Sequence, residues 1–195
     1  MSQKYGSTDS KYFYPNSNTL VNRLDIRNEK LLNEAEALYT AQRLLELHAK
    51  PIMTNFDLEN LKMIHKYIYQ DLYKFAGTIR DENISKGQTL FASVLCIVPN
   101  AEKLFSQLRL ENYLVGTTID DFSKKAAYYM SESNIIHPFR EGNGRAIREF
   151  IRCLALKCGF ILNWNAITNS EILEASISSV NDISHLTKVI RRCIE

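Results

Sequence analysis

Twelve consecutive residues, His137-Pro138-Phe139-Arg140-Glu141-Gly142-Asn143-Gly144-Arg145-Ala146-Ile147-Arg148, concentrate the reactive side chains of this 195-residue chain. Pro138 interrupts a helix, which places His137 at a helix-to-loop junction. An imidazole there can accept a proton near neutral pH. Glu141 offers a hard oxygen ligand, as Mg²⁺ beside phosphates requires. Gly142 and Gly144 bracket Asn143 in a turn that lets backbone approach a ligand closely. An amphipathic helix pattern begins at the same point, so its first N–H groups and positive dipole end form an anion site. Arg145 and Arg148 are three apart and project near one another from the first turn. Two guanidinium forks beside an amide nest suit a polyphosphate. Each feature alone is commonplace: a His-Pro turn can be a plain connection, and arginines three apart are usually a solvated face. A base, a metal ligand, an anion nest and a cationic clamp within one loop and helix start are not.

The elements that position this segment read as helices. Seven Gly and four Pro are few for this length, so uninterrupted elements are expected. A helix over 28–50 carries Leu31, Ala35, Leu38 and Leu45 on one stripe and stops at Pro51. The next, capped from Thr54 to Asp57, buries Leu61, Ile64, Ile68 and Leu72, with Gly77 as its left-handed cap. Residues 84–98 read as a hairpin turning at Lys86-Gly87-Gln88. Pro99 and Asn100 then open a helix with Leu104, Leu108 and Tyr113. Asp120 or Asp121 opens another, with Phe122, Ala126, Met130 and Ser133. Residues 144–157 bury Ile147, Phe150, Ile151, Leu154 and Ala155, and shorter helices are expected near 168–178 and 182–194. The fold class is therefore mainly α, a helical bundle with one short β-hairpin. Residues 1–27 are polar yet carry Tyr5, Tyr12, Phe13, Tyr14 and Leu20, which predicts an arm packed on a domain spanning 28–195.

Composition narrows the function. Lys and Arg (24) nearly balance Asp and Glu (22), which argues against direct nucleic-acid binding. No stretch approaches a membrane span, and the first residues lack the apolar core of a secretory signal. Cys96, Cys153, Cys158 and Cys193 are scattered, with Cys153 and Cys158 five apart, off one helical face and outside zinc-ligand spacing, and they read as reduced thiols packed as small hydrophobes in a cytoplasmic protein. Zinc-protease, serine-hydrolase and P-loop motifs are absent. His65, among Met63, Ile64 and Ile68, reads as structural and Trp164 as core, and the sequence names no partner for His48 or His185.

The twelve-residue segment also resembles a known family. HPFREGNGRAIR fits the Fic signature, HPF-x-(D/E)-GN-(G/K)-R-x-x-R, at every constrained position. DLYKFAGTIR and the following hairpin look like Fic proteins too, and Tyr5 to about Arg27 resembles the VbhT-type Fic toxins, which pair with a small antitoxin, and related secreted effectors. The resemblance implies a Fic fold, with an active-site loop at 137–148 and a flap at 84–98 that pairs with an extended target segment. It implies a protein adenylyltransferase that moves AMP from ATP-Mg²⁺ to a Tyr, Thr or Ser hydroxyl. His137 would be the base and Glu141 the Mg²⁺ ligand. Asn143 would bond the α-phosphate, Gly142 and Gly144 would line the anion hole, and Arg145 and Arg148 would meet the β- and γ-phosphates. Gly144, where phosphorylating relatives carry Lys, favours nucleotidyl transfer. Lys86 and Phe91 are the expected target-docking residues of the flap. The toxin branch points to type II topoisomerases (DNA gyrase, topoisomerase IV) as targets. The expected regulator is a small antitoxin whose inhibitory helix, (S/T)-xxx-E-(G/N), pairs its Glu with Arg148. Thr78 to Asn83 fits those letters but lies beside the flap and reads as coincidence. Transfer of UMP, phosphocholine or phosphate, a catalytically silent Fic-fold binding module, and secretion into a host cell are the alternatives.

Overall fold

The computed structural model describes residues 10–86 and 89–195, so the expectations for Tyr5, Gly87 and Gln88 fall outside it. Among the described residues the chain forms α1 (Glu29–Ala49), α2 (Leu58–Tyr69), β1 (Ser85–Lys86), β2 (Thr89–Leu90), α3 (Val94–Leu110), α4 (Ile119–Ile136), α5 (Asn143–Lys157), α6 (Asn169–Ser178) and α7 (Ser184–Cys193). Short polar side chains start four of the helices. Asn28, Asp57, Thr118 and Thr168 accept backbone N–H groups of Leu31, Asn60, Asp121 and Glu171. Helix α5 lies at the centre, against α2 and α4, while α7 covers the other side of α4. Its residues Ala146, Ile147, Phe150, Ile151, Cys153, Leu154 and Ala155 are all buried. Phe150 meets the rings of Phe56 and Phe105 at 5.7 and 5.2 Å. A helix wrapped so completely is a poor place for drift, and its first turn is the glycine-flanked segment.

Residues 10–27 lie along the bundle. Tyr12 and Leu20 are buried, and Phe13 bridges Leu20 in antiparallel register. The Arg23 N–H donates to the Leu72 carbonyl at 2.7 Å. The Asn22 side chain holds Leu20, Leu24 and Ile26 backbone groups in a compact turn.

Several boundaries and faces differ from the sequence reading. In α1 the inward residues are Leu32, Glu36, Thr40 and Leu47, whereas Leu31, Leu38 and Leu45 are 55, 73 and 73% exposed. The buried face is half polar because it serves ion pairs and hydrogen bonds, so apolar periodicity selected the wrong side. Gly77 does not cap α2, which ends at Tyr69. It folds back beneath that helix, where a Cβ would stand 2.7 Å from Lys66 Cβ. The hairpin is shorter than 84–98, because Leu95 to Val98 already belong to α3. Pro99 therefore sits inside α3 rather than at its start. The carbonyl it leaves without a helical donor belongs to Leu95, a residue that is 85% exposed. Tyr113 follows α3 in a 3-10 turn with positive φ at Asn112, Tyr113 and Leu114. Trp164 is half-buried in a second 3-10 turn, its indole N–H on the Arg148 carbonyl at 3.1 Å.

The reassigned face of α1 predicts unequal costs. Leu45→Ala should change stability by less than about 0.5 kcal/mol, whereas Leu47→Ala should cost about 2–5 kcal/mol. Urea unfolding midpoints measure both, and the reverse order would restore the original stripe.

Candidate active site

Helix α4 delivers His137. The residue is the helix C-cap in the left-handed region (φ 49°, ψ 62°), which costs a non-glycine residue of order 1 kcal/mol. Several bonds hold it there. Its N–H donates to Ser133 O at 3.0 Å, and the Arg80 Nε–H donates to His137 O at 2.8 Å. The ring Nδ1 faces the Asn134 carbonyl at 3.0 Å. A carbonyl only accepts, so Nδ1 carries the hydrogen and the neutral ring has its acceptor pair on Nε2. Phe91 stacks on the imidazole with centroids 3.7 Å apart. Burial, aided by the Arg80 and Lys86 cations, pushes the His137 pKa down to about 3. The ring is therefore neutral at physiological pH.

The loop after His137 is closed by side-chain staples. Asn143 accepts from Phe139 N–H at 2.9 Å and donates to Phe139 O at 2.8 Å. Its side chain thus holds the loop rather than pointing at a ligand. What Asn143 offers outward is its backbone N–H. Beneath the loop lies His65, stacked on Phe139 at 3.8 Å and on Tyr69 at 4.8 Å. The Gly77 N–H donates to His65 Nδ1 at 2.8 Å, so Nε2 must donate to the Glu141 carbonyl at 2.9 Å. Burial pushes this pKa down to about 4. His65 is structural, as expected, and it is the floor of the site.

Gly142 opens α5 at φ +81°, and a Cβ on it would meet the Tyr69 ring at 2.2 Å. Glycine is required there on both counts. The Glu141 carboxylate accepts the Gly142 N–H at 3.0 Å. The first intrahelical bond runs from Ala146 N–H to Gly142 O. The N–H groups of Asn143, Gly144 and Arg145 precede it and face the helix mouth.

The two clamp arginines have different surroundings. Arg145 Nη1 donates to Glu36 Oε1 at 2.8 Å and to Tyr69 Oη at 2.9 Å, while Tyr73 Oη donates to Glu36 Oε2 at 2.6 Å. Burial works against the charge on Arg145, but Tyr69 and Glu36 outweigh it and hold its pKa above the ordinary value. Arg148 forms no salt bridge among the described residues. Burial, then repulsion from Arg145, hold its pKa below the ordinary value. It lies beside Gly144, whose added Cβ would be 3.4 Å from Arg148 Nη1. The uncompensated cation at the nest is therefore Arg148.

The structure brings His137, Glu141, Gly142, Asn143, Gly144, Arg145 and Arg148 to one loop and helix start. Lys86 is exposed on β1, and Phe91, just past β2, is half-buried over His137. Sequence reasoning missed Glu36, Tyr69, Tyr73 and Arg80. Glu36 and Thr40, polar at a helical spacing beside Leu32 and Leu47, were the available signal for the first. Glu141 and Glu36 border one cleft with Tyr73, Arg140, Phe13 and Thr19. The Arg140 guanidinium lies 4.8 Å from the Phe13 ring centroid, joining residues 10–27 to the loop.

Comparison with known proteins follows the same outline. The Fic/DOC family profile matches residues 55–155. The chain is 36% identical over 190 residues to the protein adenylyltransferase VbhT of Bartonella schoenbuchensis, covering 97% of this chain and 40% of that protein. It thus spans well under half of that relative. It is 34% identical to a Salmonella typhimurium protein named "Probable protein adenylyltransferase Fic", over 100% of this chain and 96% of the relative. Among solved structures, the N-terminal Fic domain of a VirB-translocated Bep effector protein of Bartonella quintana, with bound ADP, superposes with a TM-score of 0.90. It is 27% identical, and the match covers 97% of this chain and 96% of that one.

The two buried imidazoles set a pH dependence. Their folded pKa values lie below the ordinary 6.5, so the unfolded chain takes up protons that the native chain refuses. Their stabilisation is complete above about pH 6.5 and is lost as pH falls toward 4, by up to about 2.7 kcal/mol per pH unit for two sites. Urea unfolding at pH 7, 6 and 5 should show this fall, and His65→Gln should reduce its slope by about half.

Proposed function

The chain belongs to the Fic/DOC family, and from that premise we propose that it is a protein adenylyltransferase. The observation that carries this reading is the pairing of a neutral His137, with its acceptor nitrogen at Nε2, and an amide nest at the start of α5. The relatives named protein adenylyltransferase and the ADP-bound effector domain support the nucleotide.

On this reading a hydroxyl of a target protein gives its proton to His137 Nε2. Its oxygen bonds to the α-phosphorus of ATP as the bond to the β-phosphate oxygen breaks, and pyrophosphate leaves. The Asn143, Gly144 and Arg145 amides meet the developing charge at the helix mouth. Arg148 binds the outer phosphates as a full cation, and Arg145, already paired with Glu36, acts mainly as an oriented donor. Glu141 is the residue that would hold Mg²⁺. A single carboxylate beside the phosphates suits an ion that completes its shell with phosphate oxygens and water. When bound, Mg²⁺ supplies charge neutralisation to the phosphates. Gly144 puts no side chain at the helix mouth, where a Cβ would already stand 3.4 Å from Arg148 Nη1, and this supports nucleotidyl over phosphoryl transfer.

The target segment pairs with the flap edge, where Lys86 is exposed for contact, and Phe91 backs the base. A type II topoisomerase is the proposed target class. A small antitoxin supplying a glutamate to Arg148 is the proposed regulator, supported by the uncompensated charge there. No helix among the described residues is long and apolar enough to cross a membrane. A cytoplasmic site of action is part of the proposal.

Incubation with Mg²⁺, α-³²P-labelled ATP and a bacterial lysate tests the reading. Discrete labelled proteins are expected, with labelling lowered about 10²–10⁴-fold in His137→Ala. Undiminished labelling by that variant, or label from γ-³²P-ATP alone, overturns it. Arg148→Ala should also raise the KM for ATP more than Arg145→Ala does, because Arg145 is paired with Glu36 whereas Arg148 forms no salt bridge among the described residues.

A further inference from the structure

Arg80 is 2% exposed and forms no salt bridge among the described residues. A buried cation without a carboxylate is costly unless oriented dipoles surround it. Here they come from three segments. Nη1 donates to Glu82 O at 2.7 Å, before the flap. Nη2 donates to Ala92 O at 2.5 Å, just after it, and to Ile136 O at 3.4 Å. Nε donates to His137 O at 2.8 Å, and the Arg80 backbone N–H donates to Pro138 O at 2.9 Å. The carbonyls of Ile136 and His137 form the C-terminal end of α4, the negative end of its dipole, which suits a cation. A sixth bond, from Ala92 N–H to Ile135 O at 3.1 Å, runs directly between the flap base and α4. Phe91, next to Ala92, stacks on the imidazole.

A two-stranded ribbon of two residues per strand cannot hold a fixed attitude by itself. Its attitude here is set from below, by one guanidinium that also holds the backbone of the base. We infer that Arg80 is a positioning residue that joins the flap and the His137 turn into one rigid unit, so that a target strand paired with the flap presents its hydroxyl at a set distance from His137 Nε2. This rests on the adenylyl-transfer reading above. Lysine cannot replace it, since one ammonium on a single stem cannot reach four carbonyls in a fork.

Three measurements test this. In the wild-type chain, the Ala92 amide should exchange hydrogen as slowly as the amides of α4. Exchange at the rate of an open loop overturns the inference without any variant. In Arg80→Lys and Arg80→Gln, peptides covering 82–93 should exchange faster, and kcat/KM for the protein acceptor should fall about 100-fold, the scale of an ångström misplacement. Binding of a fluorescent ATP analogue should meanwhile change less than about twofold. Parallel loss of nucleotide binding and acceptor modification would mean a merely structural arginine, and full activity in Arg80→Lys would mean no positioning role. If the wild-type chain labels nothing with any nucleotide donor, the adenylyl-transfer reading fails, and the exchange comparison still decides the rigid coupling.

Discussion

The site depends on one buried imidazole, that of His65. It has to be neutral, flat and bifunctional at once. One nitrogen accepts from Gly77, the other donates to Glu141 O, and its faces carry Phe139 and Tyr69. The loop between α4 and α5 is thereby pressed onto α2 at a height that only a glycine at 142 can tolerate. That contact decides where α5 begins, and the start of α5 decides where its open amides point. Burial keeps the ring uncharged, so the same desolvation that keeps His137 neutral also keeps its support in place.

Charge in the site is distributed unequally. Glu36 and two tyrosine hydroxyls fix Arg145 as part of the frame. Arg148, three residues on, forms no salt bridge among the described residues, and Arg145 repels it. A clamp of two equal cations would repel itself when empty. Pairing one of them with α1 relieves that strain and leaves a directional pull toward the other.

The reactive segment was legible because its chemistry is consecutive, and a run of twelve residues needs no tertiary knowledge to be seen. The helices were legible because few residues break them. Their faces were less so. In α1 the buried side contains Thr40, which bonds back to the Glu36 carbonyl, and Glu36, whose partners are remote, Arg145 lying 109 residues away. The end of the flap was misplaced because Leu95 to Val98 has strand-like composition while packing in α3 decides its shape. Asn143 has the type of a ligand-binding residue, yet its side chain is consumed by Phe139. Arg80 and His65 act across 57 and 76 residues, and no local pattern announces such partners.

The placement of α5 has an evolutionary consequence. The residues of its first turn form the open helix mouth, and those of its next turns, Phe150 and Leu154 among them, fill the centre of the core. A mutation that shifts the helix mouth is also a folding mutation, and selection will remove most of them. The flap strands are surface residues with few neighbours, so drift in them is cheap. Lineages built on this scaffold should therefore diversify at the flap far faster than at the helix mouth.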